Sequence, residues 1–366
     1  MPWYRGNTHT HTSATPASDA NGSPEFVRDW YRERGYSFLF ITDHEVLTDV
    51  AALNDDPEFL VLPGQEITQM VLDPAHPHGI RQGHVNGLGT NRVILPVGFP
   101  VLPLELDAVW RAAPAGTKEA LFAQRPDIAA ILQNYPTGDH TLASTYDRNL
   151  REVRAAGGIP QVNHPNLHWS VAETDLDRLE GPYLMEVWNS FSIASNLGGV
   201  DEQGTRRRST EELWDALLTS GRVVWGTATD DGHEYEDFAD REAPTPGKGW
   251  ILVNADELTP RAIMAALASG RFAASTGVLL SDVRSDGSSL ELDLEPSMGW
   301  RKAKFEALGL FTTRFIGPGG ELLAEVHGRR PSYNFRGDEA YVRASVIDSD
   351  GRRAWTQPVF RDGRLG

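Results

Sequence analysis

The chain has 366 residues, a formal charge of −17, 40% hydrophobic and 23% charged residues, and no cysteine. The length suits one large domain plus a small one, and the missing cysteine excludes disulfides, thiol nucleophiles and thiolate metal sites. The acidic charge disfavours nonspecific binding to nucleic acid or anionic membranes. No apolar run reaches the ~20 residues of a membrane span, and "MPWYRGN" lacks the regions of a signal peptide, so a cytoplasmic address is expected.

In chain order, "WYRGNTHTHT" reads as a strand running into a loop, with His9 and His11 projecting to one face because side chains at i and i+2 do so. "SPEFVRDWYRERGY" has the Ser-Pro start of a helix. Short apolar runs then recur, each ending in polar residues. "FLFITDHE" (38–45) ends on Asp43 and His44, "FLVLPGQEIT" (59–68) carries Glu66, and "GHVNGLGT" (83–90) carries His84. Residues 91–150 form a longer excursion with two helix-like stretches, expected to cover part of the mouth of the fold, and His140 reads as a loop residue. "TYDRNLREVRAAGG" is a helix closed by glycines. "IPQVNHPN" (159–166), "YLMEVWNS" (183–190) and "VVWGTATDDGH" (223–233) are further strands, ending on His164, Asn189, and Asp231 with His233. Between the last two lie Arg206 to Arg208, read as a solvated loop, and the capped helix "STEELWDALLTSG".

Strands alternating with helices imply a parallel sheet, and seven such units close most economically as a barrel. Active groups of such barrels sit at the C-terminal strand ends. A lone histidine is more often structural than a ligand. Six histidines with several carboxylates at corresponding strand ends instead point to a metal site. After one more helix, "DELTPRAIMAALASGRF", the texture becomes strand and turn from about residue 278, as in a small antiparallel β-sandwich with only His327 and no ligand cluster. The expected division is a catalytic barrel over 1–277 and an accessory β-domain over 278–366.

"NTHTHT", "ITDHE", "PGQEIT", "GHVNGLG", "VNHPN" and "TDDGH" resemble, in order, the motifs of the polymerase and histidinol phosphatase (PHP) superfamily of metal-dependent phosphoesterases. The subgroup resembled most is that of the aryl carbamate hydrolases. The resemblance implies a distorted (β/α)7 barrel, a small C-terminal antiparallel β-domain, and two or three divalent ions. It places one ion on His9, His11, Glu66 and Asp231, and a second on shared Glu66 with His84 and His164. A third would lie on His44 and His233 with Asp19, Asp43 being either an alternative ligand or a support for His44. The Asp-x-His pattern selects Asp231 over Asp230, and a strand extended to its end would place Asp231 and His233 on one face. Imidazole and carboxylate donors suit zinc, manganese or iron.

The implied reaction is hydrolysis of a phosphomonoester or small phosphodiester by a metal-bridging hydroxide, with Glu66 and Asp231 central. A carboxylic or carbamate ester is the alternative substrate, and a noncatalytic metal-stabilised module is the alternative from another class. Arg81 is a candidate for gripping phosphate, Asn189 for contacting substrate, and His168 for protonating the leaving group. His76 and His78 are candidates for lining the way in. A small-molecule ester is the expected partner, with no nucleic acid and no membrane.

Overall fold

Strand β1 (Trp3–Asn7) lies at the centre of the large sheet of the computed structural model, parallel to β2 (Phe38–Ile41), which is parallel to β3 (Leu60–Leu72). The structure describes residues 1–15, 18–73, 76, 80–96, 141–240, 242–295 and 311–361. The two helices and His140 expected within 91–150, and His78, lie outside these residues. All four side chains of β2 are buried, as in a strand covered on both faces. The Phe38 ring sits where a side chain of Gly6 would be, 2.2 Å from the place of its Cβ. Glycine therefore lets β1 and β2 approach closely.

The expected strand–helix alternation fails at the next step. β3 and β4 (Ile80–Leu88) form one long antiparallel hairpin, with Thr68 opposite His84 and Glu66 opposite Asn86. The link between them is too short for a parallel crossover, which needs about a dozen residues. β4 is antiparallel to β5 (Ile159–Val162), and β5 is parallel to β6 (Tyr183–Asn189). Arg206 and Arg207 lie in a two-stranded hairpin, β7 (Gly199–Val200) with β8 (Arg206–Arg207), and not in an open loop. β9 (Val224–Thr229) follows, parallel to β6. On the other flank of β1 run β10 (Trp250–Asn254) and β11 (Phe272–Ser275), both antiparallel to their neighbours and neither foreseen from the sequence.

The fold is thus mixed α/β, and among the described residues no ladder closes the sheet into a barrel. β9 lies beside β10 and β11 without pairing. At Gly226 a side chain takes the place of a neighbouring strand: Gln357 accepts from the Gly226 N–H at 2.7 Å and donates to the Gly226 carbonyl at 2.8 Å. One buried amide thereby does what a neighbouring strand would do.

Helices begin where the capping residues sit. Ser23 caps α1 (Pro24–Glu33) with proline in its first turn, and α1 buries Val27, Trp30 and Tyr31. Reciprocal Thr141–Ser144 bonds start α2 (Leu142–Ala155) three residues before the expected "TYDRNL". A single turn, α3 (Glu173–Leu176), follows β5, and a Ser209–Glu212 capping box opens α4 (Thr210–Thr219). Thr259 caps α5 (Pro260–Ala268). No helix among the described residues is long and apolar enough to cross a membrane.

The C-terminal strands are antiparallel, as expected. β12 (Leu279–Ser285), β13 (Ser289–Glu295) and β16 (Ser332–Asn334) form one small sheet. β14 (Phe311–Gly317), β15 (Glu321–His327), β17 (Tyr341–Asp348) and β18 (Arg353–Thr356) continue the main sheet, because β18 pairs with β11, and β19 (Val359–Phe360) pairs with β17. Leu290, Leu292 and Leu294 of β13 share one core with Phe311, Phe315 and Val342. Each fully buried Leu or Phe of this kind contributes about 2 kcal/mol. A buried ion cluster ties α4 to β17. Arg343, fully buried, forks onto Asp215 at 2.7 and 2.6 Å and reaches Glu211 at 2.9 Å.

Candidate metal centre

Three groups of histidines and carboxylates converge among the described residues: His9, His11, Glu66 and Asp231; Glu66, His84 and His164; and His11, Asp19, His44 and His233. They come from strand ends that the sheet brings together. His9 and His11 lie just past β1, in a stretch still extended enough for Thr10 to bridge to Gly232. His44 bridges to Glu66 of β3, and His84 comes from the partner strand of the β3–β4 hairpin. His164 follows β5, where its φ of 22° turns the chain sharply.

In the first group five of the six atom pairs lie 3.0–3.3 Å apart. These are His9 Nε2 to His11 Nε2, both nitrogens to Glu66 Oε2, and both to Asp231 Oδ1. A cation equidistant from such atoms would sit about 2 Å from each, the ordinary zinc–nitrogen or zinc–oxygen distance. Hydrogen bonds cannot account for all five contacts, because two facing ring nitrogens hold at most one proton between them. In the second group Glu66 Oε1 lies 3.0 Å from His84 Nδ1 and 3.4 Å from His164 Nε2. The two oxygens of Glu66 therefore face different groups. In the third, Asp19 Oδ2 lies 3.3 Å from His44 Nε2 and 3.5 Å from His233 Nε2, and Asp19 Oδ1 is buried without a hydrogen-bond partner. This group is the most open: the His44 side chain keeps 25% of its surface exposed, whereas that of His9 keeps none. The residues present fit divalent ions.

The electrostatics agree. Burial opposes charge on His9, yet the carboxylates of Asp231, Glu66 and Glu186 outweigh it and raise the imidazole well above its ordinary value. Burial likewise opposes ionisation of Glu66, but His9, His44 and His84 hold its carboxyl well below the usual range. His84 goes the other way, pushed down to about 4 chiefly by burial. The carboxylates are ionised in this centre and attract positive charge, whether protons or a metal supply it.

No family model matches the chain, and no curated protein matches it. Solved structures do. A two-domain protein from Bacteroides vulgatus, containing a predicted PHP-like metal-dependent phosphoesterase, is 14% identical, with 98% of this chain and 95% of that one covered and a TM-score of 0.43. A candidate metal-dependent phosphoesterase from Bifidobacterium adolescentis is 17% identical over 62% of this chain and 87% of its own, with a TM-score of 0.35. A lesion-specific endonuclease from Pyrococcus furiosus is 11% identical over 73% of this chain and 56% of its own, also with a TM-score of 0.35. With TM-scores below 0.5, these likenesses decide neither fold nor function for this chain.

Other sequence candidates lie elsewhere. The Asp43 carboxylate belongs to none of the groups; it accepts from the Thr12 backbone at 2.6 Å and from Thr48 at 2.5 Å, anchoring the loop after β1. Asp230 is fully engaged by Asn7, Tyr31 and the backbone N–H groups of Lys248 and Gly249 at 2.7–2.9 Å. The extended strand expected through Asp231 is not found: β9 ends at Thr229, and Asp231 has φ of 52°. A backbone turn, not strand alternation, separates the two acids. Arg81 is committed to Asp175 and to the Ser170 carbonyl. Asn189 is buried, its amide donating to Glu186 at 2.8 Å and Asp231 at 3.0 Å, so it holds carboxylates. His168 is exposed in the turn after His164, with φ of 50°, and His76 is half-buried with its backbone N–H on the Asp73 carbonyl.

Sequence reasoning overlooked a layer of polar side chains beneath the ligands. Asn163 donates to Glu66 Oε1 at 2.8 Å, and Thr68 lies 2.6 Å from His44 Nδ1. Glu186 lies 2.7 Å from His9 Nδ1, the nitrogen facing away from the first group. The available signal was a charged residue inside an apolar strand, "YLMEVWN".

Proposed function

We propose that this chain is a PHP-type hydrolase that cleaves a small phosphomonoester or phosphodiester in the cytoplasm, using two or three ions of zinc, manganese or iron. The observation that carries this reading is Glu66, a buried carboxylate with one oxygen turned to His9 and His11 and the other to His84 and His164. That is the arrangement of a carboxylate shared between two cations. Bound ions supply Lewis acidity for the phosphoryl group and lower the pKa of water. The chain's own part is to hold the donors still, keep His9 and Glu66 away from bulk water, and present the open third group of Asp19, His44 and His233 to substrate. His168, exposed four residues beyond His164, is the proposed proton donor to the leaving group. Residues 1–277 carry every proposed ligand and are read as a distorted (β/α)7 barrel with an open seam at β9, with 278–366 as its support.

A carboxylic or carbamate ester is the second reading. It is favoured by pairing of the arginines of β4 and of the segment after β6: Arg81 with Asp175, Arg207 with Asp201, and Arg208 with Glu173. It is also favoured by the Phe191 ring, 6.3 Å from that of His233. Metal-reconstituted protein assayed on phosphomonoesters, phosphodiesters and aryl esters separates the readings. Turnover of phosphate esters supports the first, turnover of aryl esters alone the second, and none of either refutes both.

A further inference from the structure

Glu186 sits in the middle of β6 with no exposed surface. Its Oε1 faces His9 Nδ1 at 2.7 Å, Thr229 Oγ1 at 2.7 Å and Gln161 Nε2 at 3.4 Å. Its Oε2 accepts from the His164 backbone N–H at 2.6 Å and from Asn189 Nδ2 at 2.8 Å. The directions of these bonds are fixed from outside. The His164 N–H can only donate. Asn189 is oriented because its Oδ1 already accepts from the Phe191 N–H, and Gln161 because its Oε1 accepts from Thr8. With both oxygens already accepting from these other donors, the carboxylate faces His9 as an acceptor, so His9 carries its proton on Nδ1. Its Nε2, which faces Glu66 Oε2 and Asp231 Oδ1, is then the nitrogen left to ligate a cation.

We infer that Glu186 is a positioning residue for two cation-binding groups at once: it sets the tautomer of His9 in the first and the main chain of His164 in the second. Through Asn189, which also donates to Asp231 Oδ2 at 3.0 Å, it steadies a third ligand. This rests on the metal-centre reading above. It requires a carboxylate, because all five surrounding groups are donors. Glutamine has the same shape but must turn an NH2 toward one side. Turned toward His164 and Asn189, it opposes two donors. Turned toward His9, it needs Nδ1 as acceptor, and His9 Nε2 then carries a hydrogen aimed at the two carboxylates and cannot ligate.

The test is titration of metal-free full-length protein with Zn²⁺ against a chromophoric chelator, for wild type and Glu186→Gln. Loss of outer partners of metal ligands typically costs about 10–100-fold in affinity, and that loss is expected here for two of the ions bound by wild type. A merely structural glutamate would lower the melting temperature of the metal-free protein and leave affinity alone. Wild type that binds no Zn²⁺ refutes the metal centre itself. Wild type that binds two or more ions while Glu186→Gln binds them equally well, or loses affinity for only one, overturns the role of Glu186 and leaves the centre standing. Should Glu186→Gln fail to fold, ¹⁵N-histidine spectra of metal-loaded wild type decide: a proton on His9 Nδ1 is expected, and a bare Nδ1 overturns the inference.

Discussion

The Arg343 assembly and the Glu66 assembly both hold carboxylates out of water, but only the first contains a permanent cation. Arg343 has no exposed surface and divides its guanidinium between Asp215 and Glu211, so the cluster is neutralised in place by a group that never loses its charge. Around Glu66, among the described residues, the groups that can carry positive charge are imidazoles, whose charge depends on pH and on what is bound. A buried pair like the first is poor evidence for function, since its attraction is spent on desolvation. A buried cluster like the second leaves its balance to protons or to an added cation, so it is able to bind one. The difference lies in the side chains, because burial is similar in both.

The strongest way to break this contrast is to remove the shared carboxylate. Glu66→Ala is expected to lower hydrolysis by more than about 100-fold, beyond the range seen for outer partners, and to lower metal content. Kinetics with metal analysis check this, and retained activity would end the shared-carboxylate account. Arg343→Met is expected to act on stability instead. Leaving Asp215 buried without its cation should cost about 3–5 kcal/mol in denaturant unfolding, with metal stoichiometry unchanged in the folded fraction.

A smaller effect separates Asp230 from Asp231. Asp231→Asn should lose metal from the first group, because Oδ1 lies among its donor atoms. Asp230→Asn should keep the metal and lose about 1–3 kcal/mol, since an NH2 would face Asn7, Tyr31 or the backbone donors. Metal analysis and melting of the two variants read the difference, and the reverse ranking would contradict the site geometry.

The subtlest difference is in pH, where only the Glu66 assembly adds a loss on the alkaline side. Burial opposes charge on His44, but Glu66 and Asp19 raise it to about 9 in the metal-free protein. A raised folded value means stability fully present below the unfolded pKa of about 6.5 and lost as pH climbs toward 9. Glu211 is held below its ordinary value: burial works against this, and Arg343 prevails. Its contribution is present above the unfolded pKa of about 4.3 and lost as pH falls below it. Metal-free protein should therefore destabilise on the alkaline side through the histidines of the Glu66 assembly alone, and on the acid side through Glu66 as well as Glu211, and saturation with metal should remove the alkaline loss. Unfolding curves across pH, with and without metal, check both signs.

Much of the centre was legible because ligation needs particular side chains, and His9, His11, Glu66, His84, His164, Asp231 and His233 stand at the ends of recognisable apolar runs. The topology was less so. The β3–β4 hairpin has strands that read as separate units, and only the short link betrays their antiparallel pairing. The open edge of β9 was not legible at all, since nothing local in "TQPVF" says that Gln357 will bond to Gly226, 131 residues away. Glu186 was not singled out, and the carboxylate partners of Asn189 were not legible, for a related reason. Their roles depend on what surrounds them in space, and a polar residue at a strand end looks the same whether it meets substrate or another ligand's far side.

The most direct measurement is anomalous diffraction from crystals of metal-loaded protein collected at the metal edge. Two peaks about 3.5–4 Å apart with the Glu66 carboxylate between them, one beside His9 and His11 and one beside His84 and His164, are the predicted result. A single peak, or peaks that leave Glu66 uncoordinated, would contradict it.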